Sequence, residues 1–152
     1  MSRIRDGQDV RPPRNLIDLV DFARQIQLRE DERERSEWTA PPLIQRDALK
    51  RGLSRLSSAR LEDTLMAEYP NLQMYFELFR GAKAEQNADS LRELLGSSNG
   101  ALSESIDALV RCGFLERIGD TWKVPMMYRD GLGITQGKAF AADGESTDED
   151  EE

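Results

Sequence analysis

Two short amphipathic segments with a glycine-rich corner between them constrain the fold of this chain more than any other feature. Apolar residues recur at helical spacing in both segments: Leu91, Leu94 and Leu95 in the first, and Leu102, Ile106, Leu109 and Val110 in the second. The corner is the stretch 96–100, in which Gly96 suits a positive φ after the first helix and Ser98 can cap the second. The pattern predicts two helices in tandem, joined by a tight turn.

A β-hairpin is predicted directly after the second helix. Two short runs, 114–118 and 121–124, flank the dipeptide Gly119–Asp120, and a two-residue loop that begins with glycine favours a hairpin. We expect Phe114 and Trp122 to cover the core beneath it.

An aromatic-rich segment precedes the tandem helices. It begins at a proline, Phe76 and Phe79 supply an apolar face, and Gly81 can end it, so a third helix is predicted there. The polar stretch 82–87 is interpreted as a connection. Helix, helix, turn, helix and hairpin in this order predict a winged helix over residues 70–140.

The chain before residue 70 is predicted to be helical. Pro12 and Pro13 suit the first turn of a helix, and the charged stretch 28–37 predicts a solvated end. A wide apolar stripe, predicted to be buried, runs between them, with the members Leu16, Leu19, Val20, Ala23 and Ile26 and with Ile17 as a further candidate. Residues 1–10 show no periodicity and are interpreted as a linker.

A second helix is predicted after the break at Pro41 and Pro42, because each proline disfavours a helical predecessor. Asp47 can cap it, and the dipeptide Ser57–Ser58 suggests a bend. Its apolar positions are Leu49, Leu53 and Leu56, followed beyond the bend by Leu61, Leu65 and Met66. The fold class is therefore mainly α, with residues 11–69 as a helical segment ahead of the winged helix.

The net charge of −8 comes almost wholly from the end of the chain. Seven acidic residues lie in the last ten positions: Asp143, Glu145, Asp148, Glu149, Asp150, Glu151 and Glu152. Without these seven, 22 acidic residues face 21 basic ones, so the body is nearly neutral. Residues 141–152 have nothing apolar to bury and are predicted to form a disordered acidic tail.

Composition also limits the chemistry. The chain has no histidine and one cysteine, Cys112, which excludes histidine-based triads and cysteine-based zinc sites. We expect no enzyme activity, no metal and no cofactor. No apolar run is long enough to span a membrane and the N-terminus is charged where a signal peptide is apolar, so a cytoplasmic location without membrane contact is expected.

Two segments carry a resemblance to a known class of proteins. Residues 11–19 (RPPRNLIDL) resemble the opening of the helical lid in STAND or AAA+-like P-loop ATPases of bacteria and archaea, and residues 124–134 (VPMMYRDGLGI) are similar to a segment that closes their winged helix. The resemblance implies a lid-like segment over 11–69. It also implies that Arg14, after the prolines, acts as a second sensor of nucleotide phosphates.

The same resemblance limits what this chain can do. It contains no Walker A loop and no Walker B strand, so no ATP hydrolysis by the chain alone is expected. The expected function is a non-catalytic C-terminal regulatory or interaction module, whose partner is another protein or the missing ATPase core. The sequence does not define the oligomeric state.

The alternative is DNA binding by the second tandem helix. Arg111, Arg117 and Lys123 are the candidate nucleic-acid contacts. Four residues lie off the apolar stripe of that helix: Ser103, Glu104, Ser105 and Asp107. The carboxylates among them repel phosphates, and Glu116 and Asp120 offset the cations of the hairpin, so DNA binding is possible but disfavoured.

Overall fold

A computed structural model describes residues 2–34, 43–96 and 99–140. The expected cap at Ser98 and the acidic tail lie outside these ranges. The described chain is mainly helical with one small sheet, which confirms the prediction of a mainly α protein.

Six α-helices and four strands make up the described chain. The helices are α1 (Pro13–Glu34), α2 (Arg46–Arg60), α3 (Gln73–Leu78), α4 (Ala88–Leu95), α5 (Asn99–Arg111) and α6 (Met126–Leu132). The strands are β1 (Lys83–Gln86), β2 (Glu116–Ile118), β3 (Thr121–Lys123) and β4 (Thr135–Lys138). A π-helical turn, Leu61–Met66, prolongs α2, and a 3-10 turn, Pro70–Leu72, leads into α3.

The tandem helices and the hairpin are confirmed. Gly96 ends α4 with a φ of 61° and its N–H donates to the carbonyl of Arg92 at 3.0 Å. The hairpin pairs Ile118 with Thr121 across the turn at Gly119, whose φ is 59°.

The sheet is larger than the predicted hairpin, with strand order β2-β3-β1-β4. The stretch 82–87, interpreted as a connection, contains β1, which pairs antiparallel with β3 and parallel with β4. Ala84 and Gln86 of this strand are buried, and the Gln86 amide donates to the carbonyl of Lys83 at 2.7 Å. A strand usually alternates apolar and polar residues, but in β1 a glutamine takes one of the buried positions. Its amide donates to a carbonyl of the same strand, so the sequence does not show the alternation.

Phe114 is the centre of the core. Its ring lies 4.9 Å from that of Phe76, 5.1 Å from Phe79 and 5.9 Å from Tyr128, and all four side chains are buried. Trp122 packs against this cluster while partly exposed, as predicted. Leu61 and Leu65 from the π-helical turn join the same core, so packing continues across residue 70.

The apolar stripe of α1 is narrower than predicted. Leu19, Ala23 and Ile26 are buried, but Leu16 and Val20 are 41% and 45% exposed. The physical reason is the close approach of α2: a Cβ added at Gly52 of α2 would lie 3.0 Å from the backbone nitrogen of Ala23. A helix that packs this closely covers only one narrow strip of its neighbour.

Residues 2–10 pack against the body, which corrects the linker interpretation. Ile4 is buried with Leu19 and Leu56, and the buried side-chain amide of Asn15 donates to the carbonyl of Ile4 at 3.0 Å. The Gly7 N–H donates to the carbonyl of Gly113 at 2.7 Å. Polar composition concealed this packing, because apart from Ile4 the contacts are polar: Arg5 pairs with Glu116, and the Gln8 amide donates to the carbonyl of Arg111.

The predicted bend at Ser57–Ser58 is wrong, because α2 runs through it. Ser57 is buried, and its hydroxyl accepts the N–H of Gly131 in α6 at 2.9 Å. The predicted cap at Asp47 is also wrong: Asp47 lies in the first turn of α2, and the cap residue Gln45 makes no side-chain capping bond.

Candidate interaction site

Arg14 lies in the first turn of α1 and points into solvent. Its side chain is 80% exposed, and its Nε lies 3.7 Å from the carboxylate of Asp18 one turn later. That carboxylate also pairs with Arg60, whose side chain is mostly buried. An exposed pair of this kind contributes little to stability, so the guanidinium of Arg14 remains accessible to another molecule.

Beside Arg14, α1 exposes an apolar surface that we name the α1 outer face. Its members are Leu16, Ile17, Val20 and Leu28, exposed by 41%, 66%, 45% and 47%. At 100° per residue these four positions fall within about 120° of the helix circumference. Arg24, 64% exposed, lies among them.

The α1 outer face is the feature that sequence reasoning missed. The sequence pattern predicts a buried stripe that contains Leu16 and Val20, with Ile17 as a further candidate, and a solvated end that begins at Leu28. The missed signal is that apolar residues cover well over half of the circumference of α1, more than one neighbouring helix can bury. A grouped set of exposed large apolar side chains marks an interaction surface, whereas single ones do not.

The candidate DNA-reading face on α5 is acidic, as predicted. Ser103, Glu104 and Asp107 are exposed, but Ser105 is buried and faces the core, which corrects its assignment to that surface. Arg111 is exposed at the end of α5, and its carbonyl accepts a bond from the Gln8 amide.

Two of the three candidate nucleic-acid cations, Arg117 and Lys123, already have partners within the sheet and its hairpin turn. The Arg117 guanidinium lies over the Trp122 ring at 5.9 Å and donates to the carbonyl of Gly119 at 3.1 Å. The Lys123 ammonium donates to the carboxylate of Glu85 at 2.7 Å, and this bond holds the pKa of Glu85 below its usual range. The charge of Lys123 is therefore already compensated.

Clustered metal ligands and an activated thiol are two features that mark many metal and nucleophile sites. In the described residues, no three side chains of histidine, cysteine, aspartate or glutamate lie close enough together to hold a metal ion. Cys112 is buried, and burial raises the pKa of its thiol, the opposite of an activated nucleophile. None of the helices in the described ranges is both long and apolar enough to cross a membrane.

Compared with protein-family models, with curated proteins and with solved structures, the chain gives no match. Two features of the chain itself point to a function: the resemblance of residues 11–19 and 124–134 to P-loop ATPase segments, and the exposed α1 outer face.

Proposed function

We propose that this chain is a non-catalytic regulatory and interaction module, similar to the lid and winged helix of a P-loop ATPase, and that the α1 outer face docks the ATPase core. The observation that carries the proposal is the α1 outer face itself, which no described part of this chain covers. Arg14 lies at its edge, accessible to the phosphates of a nucleotide held by such a core.

Element order supports a winged helix in the second part of the chain. The order is α3, β1, α4, α5, β2 and β3, and β1 pairs with β3 to extend the hairpin into an antiparallel sheet. In this arrangement α5 is the second tandem helix and the β2–β3 hairpin is the wing.

Contacts between α2 and α6 provide a route by which a partner bound at α1 would displace the winged helix. The Ser54 hydroxyl bonds the carboxylate of Asp130 at 2.6 Å, and the Ser57 hydroxyl accepts the Gly131 N–H. A Cβ at Gly131 would lie 3.2 Å from the carbonyl oxygen of Ser57, so the two helices touch closely. A displacement of α1 and α2 by a bound core would therefore move α6 with them.

The test takes the P-loop core of an ATPase that carries this segment. The core and this chain are purified separately and mixed, and their association is measured. Ile17→Asp with Val20→Asp should weaken their association by about tenfold or more, because two charges replace apolar contacts at the interface. The control is Met74→Asp, at an exposed position of α3, which should leave association unchanged. Equal effects of both variants, or none from the first, would refute docking through α1.

Arg14→Ala tests the sensor role separately in the intact enzyme. Loss of a phosphate contact that strengthens in the transition state should lower the hydrolysis rate by about 100-fold or more. The isolated chain carrying the same change should unfold at nearly the same temperature, since only an exposed pair is lost. Unchanged hydrolysis, or an unfolded isolated chain, would make Arg14 a structural residue.

DNA binding remains the second candidate because the tandem helices and hairpin have the order that DNA-reading modules use. Glu104 and Asp107 on the exposed surface of α5 disfavour it. We expect weak binding to duplexes at physiological salt without sequence preference. Tight binding to one duplex in a gel-shift competition would favour this function over docking.

A further inference from the structure

Arg129 is a buried arginine whose charge is not paired. Its side chain is 7% exposed, and it donates to the carbonyl of Val124 at 2.7 Å through Nε and to the Gln136 Oε1 at 2.5 Å through Nη1. Both acceptors are neutral. Within the described ranges no carboxylate forms an ion pair with it. Burial of a guanidinium with neutral partners only is costly.

The neighbouring charges pair among themselves. Glu116, Lys123 and Glu85 stand side by side across β2, β3 and β1. Arg5 holds Glu116 at 3.2 Å, and Lys123 holds Glu85 at 2.7 Å. Two cations and two anions therefore cancel, and the charge of Arg129 is left over.

Arg129 lines an open groove. The groove has a volume of about 330 Å³, and the cations Arg5 and Lys123 also line it together with Glu116 and Gln136. The apolar residues of its lining are Ile118, Pro125 and Met126. A hydrogen bond from a charged donor is stronger than one between neutral groups, so the guanidinium of Arg129 is the strongest donor that the groove offers to an anion.

We propose that this groove binds an oxyanion, a phosphate or carboxylate group, on the guanidinium of Arg129. Two of the five N–H donors of the guanidinium are used by Val124 and Gln136. The others can bond the oxygens of a planar or tetrahedral anion. Burial lowers the pKa of Arg129, whereas Glu85 and Glu116 raise it from a distance, and a bound anion would compensate the charge directly. The groove shares no residue with the α1 outer face, so the two proposals can fail separately.

The test is a titration followed by the Nε–H resonance of Arg129 in nitrogen–proton correlation spectra. Inorganic phosphate and acetate are added separately at constant ionic strength. At least one should shift this resonance in a saturable way, with a midpoint at roughly 1 to 10 mM, the range expected of one charge-assisted contact site. A lower midpoint for phosphate assigns a phosphate group, and a lower midpoint for acetate assigns a carboxylate. Absence of saturation with both anions overturns the proposal.

The decisive variant is Gln136→Glu, which places an internal carboxylate on the guanidinium. It should weaken anion binding by about tenfold or more, since the new side chain occupies the site, and its melting temperature should stay equal or rise. The matched control is Gln73→Glu, the same charge change at an exposed position of α3, which should bind as the parent does. A Gln136→Glu variant that binds as the parent does, or melts several degrees lower, contradicts the proposal.

Discussion

The two parts of this molecule bury apolar surface in different ways. The helical pair, residues 13–60, shares a small cluster in which Leu19 and Leu56 pack with Ile4. The main core unit, residues 61–138, contains a cluster of nineteen buried residues in its described ranges.

The helical pair, which has the smaller buried cluster, exposes more large apolar side chains than the main core unit. Among its described residues, the helical pair exposes six large apolar side chains: Leu16, Ile17, Val20, Leu28, Leu43 and Leu49. The described part of the longer main core unit exposes four: Met74, Leu78, Ile118 and Met126. A helix pair joined by close backbone approach has little area to bury within itself, which suggests that the main core unit supplies stability and the helical pair supplies surface for a partner.

Phe114→Ala should have the largest effect, because its ring contacts three other buried rings. We expect a loss of about 3–5 kcal/mol in the free energy of unfolding, measured by urea denaturation. Ile17→Ala on the α1 outer face should change it by less than about 0.5 kcal/mol. Comparable losses from the two variants would break the distinction between the regions.

Gly52→Val should have the next largest effect, because a Cβ there would lie 3.0 Å from the nitrogen and 3.1 Å from the Cβ of Ala23. Forcing α1 and α2 apart should cost about 1–3 kcal/mol, measured by thermal unfolding. The control is Gly100→Ala in α5, where nothing lies within 4 Å of an added Cβ. It should be neutral or stabilising. A stable Gly52→Val variant would show that the helical pair tolerates separation.

The smallest expected effect concerns acid stability, which we assign to the main core unit. The hydrogen bond from Lys123 holds the pKa of Glu85 below its ordinary value of 4.5. The contribution of a carboxylate with a lowered folded pKa is present above 4.5 and is lost as the pH falls through the folded value. Glu85→Gln should therefore flatten the melting temperature profile on the acid side.

Lys123→Gln provides the check on that cause. It removes the partner and keeps the carboxylate of Glu85, so it should flatten the same part of the profile. If either variant leaves the melting temperature at acid pH as it is in the parent, the pair does not make stability depend on pH.

Local patterns in the sequence determined the tandem helices, the hairpin at Gly119 and the beginning of α1 at Pro13. Each depends on residues within a few positions of one another, where periodicity, glycine and proline act directly on the backbone. The candidate cations Arg14, Arg111 and Arg117 are exposed in the structure.

Tertiary contacts alone decided the rest. Strand β1 forms because β3 and β4 offer partners on both sides, although its own residues read as polar. The exposure of Leu16 and Val20 depends on how closely Gly52 lets α2 approach α1. The charge of Arg129 is unpaired because the neighbouring carboxylates form ion pairs with Arg5 and Lys123. Apolar spacing shows which residues can be buried, but the number of neighbouring elements determines which ones are.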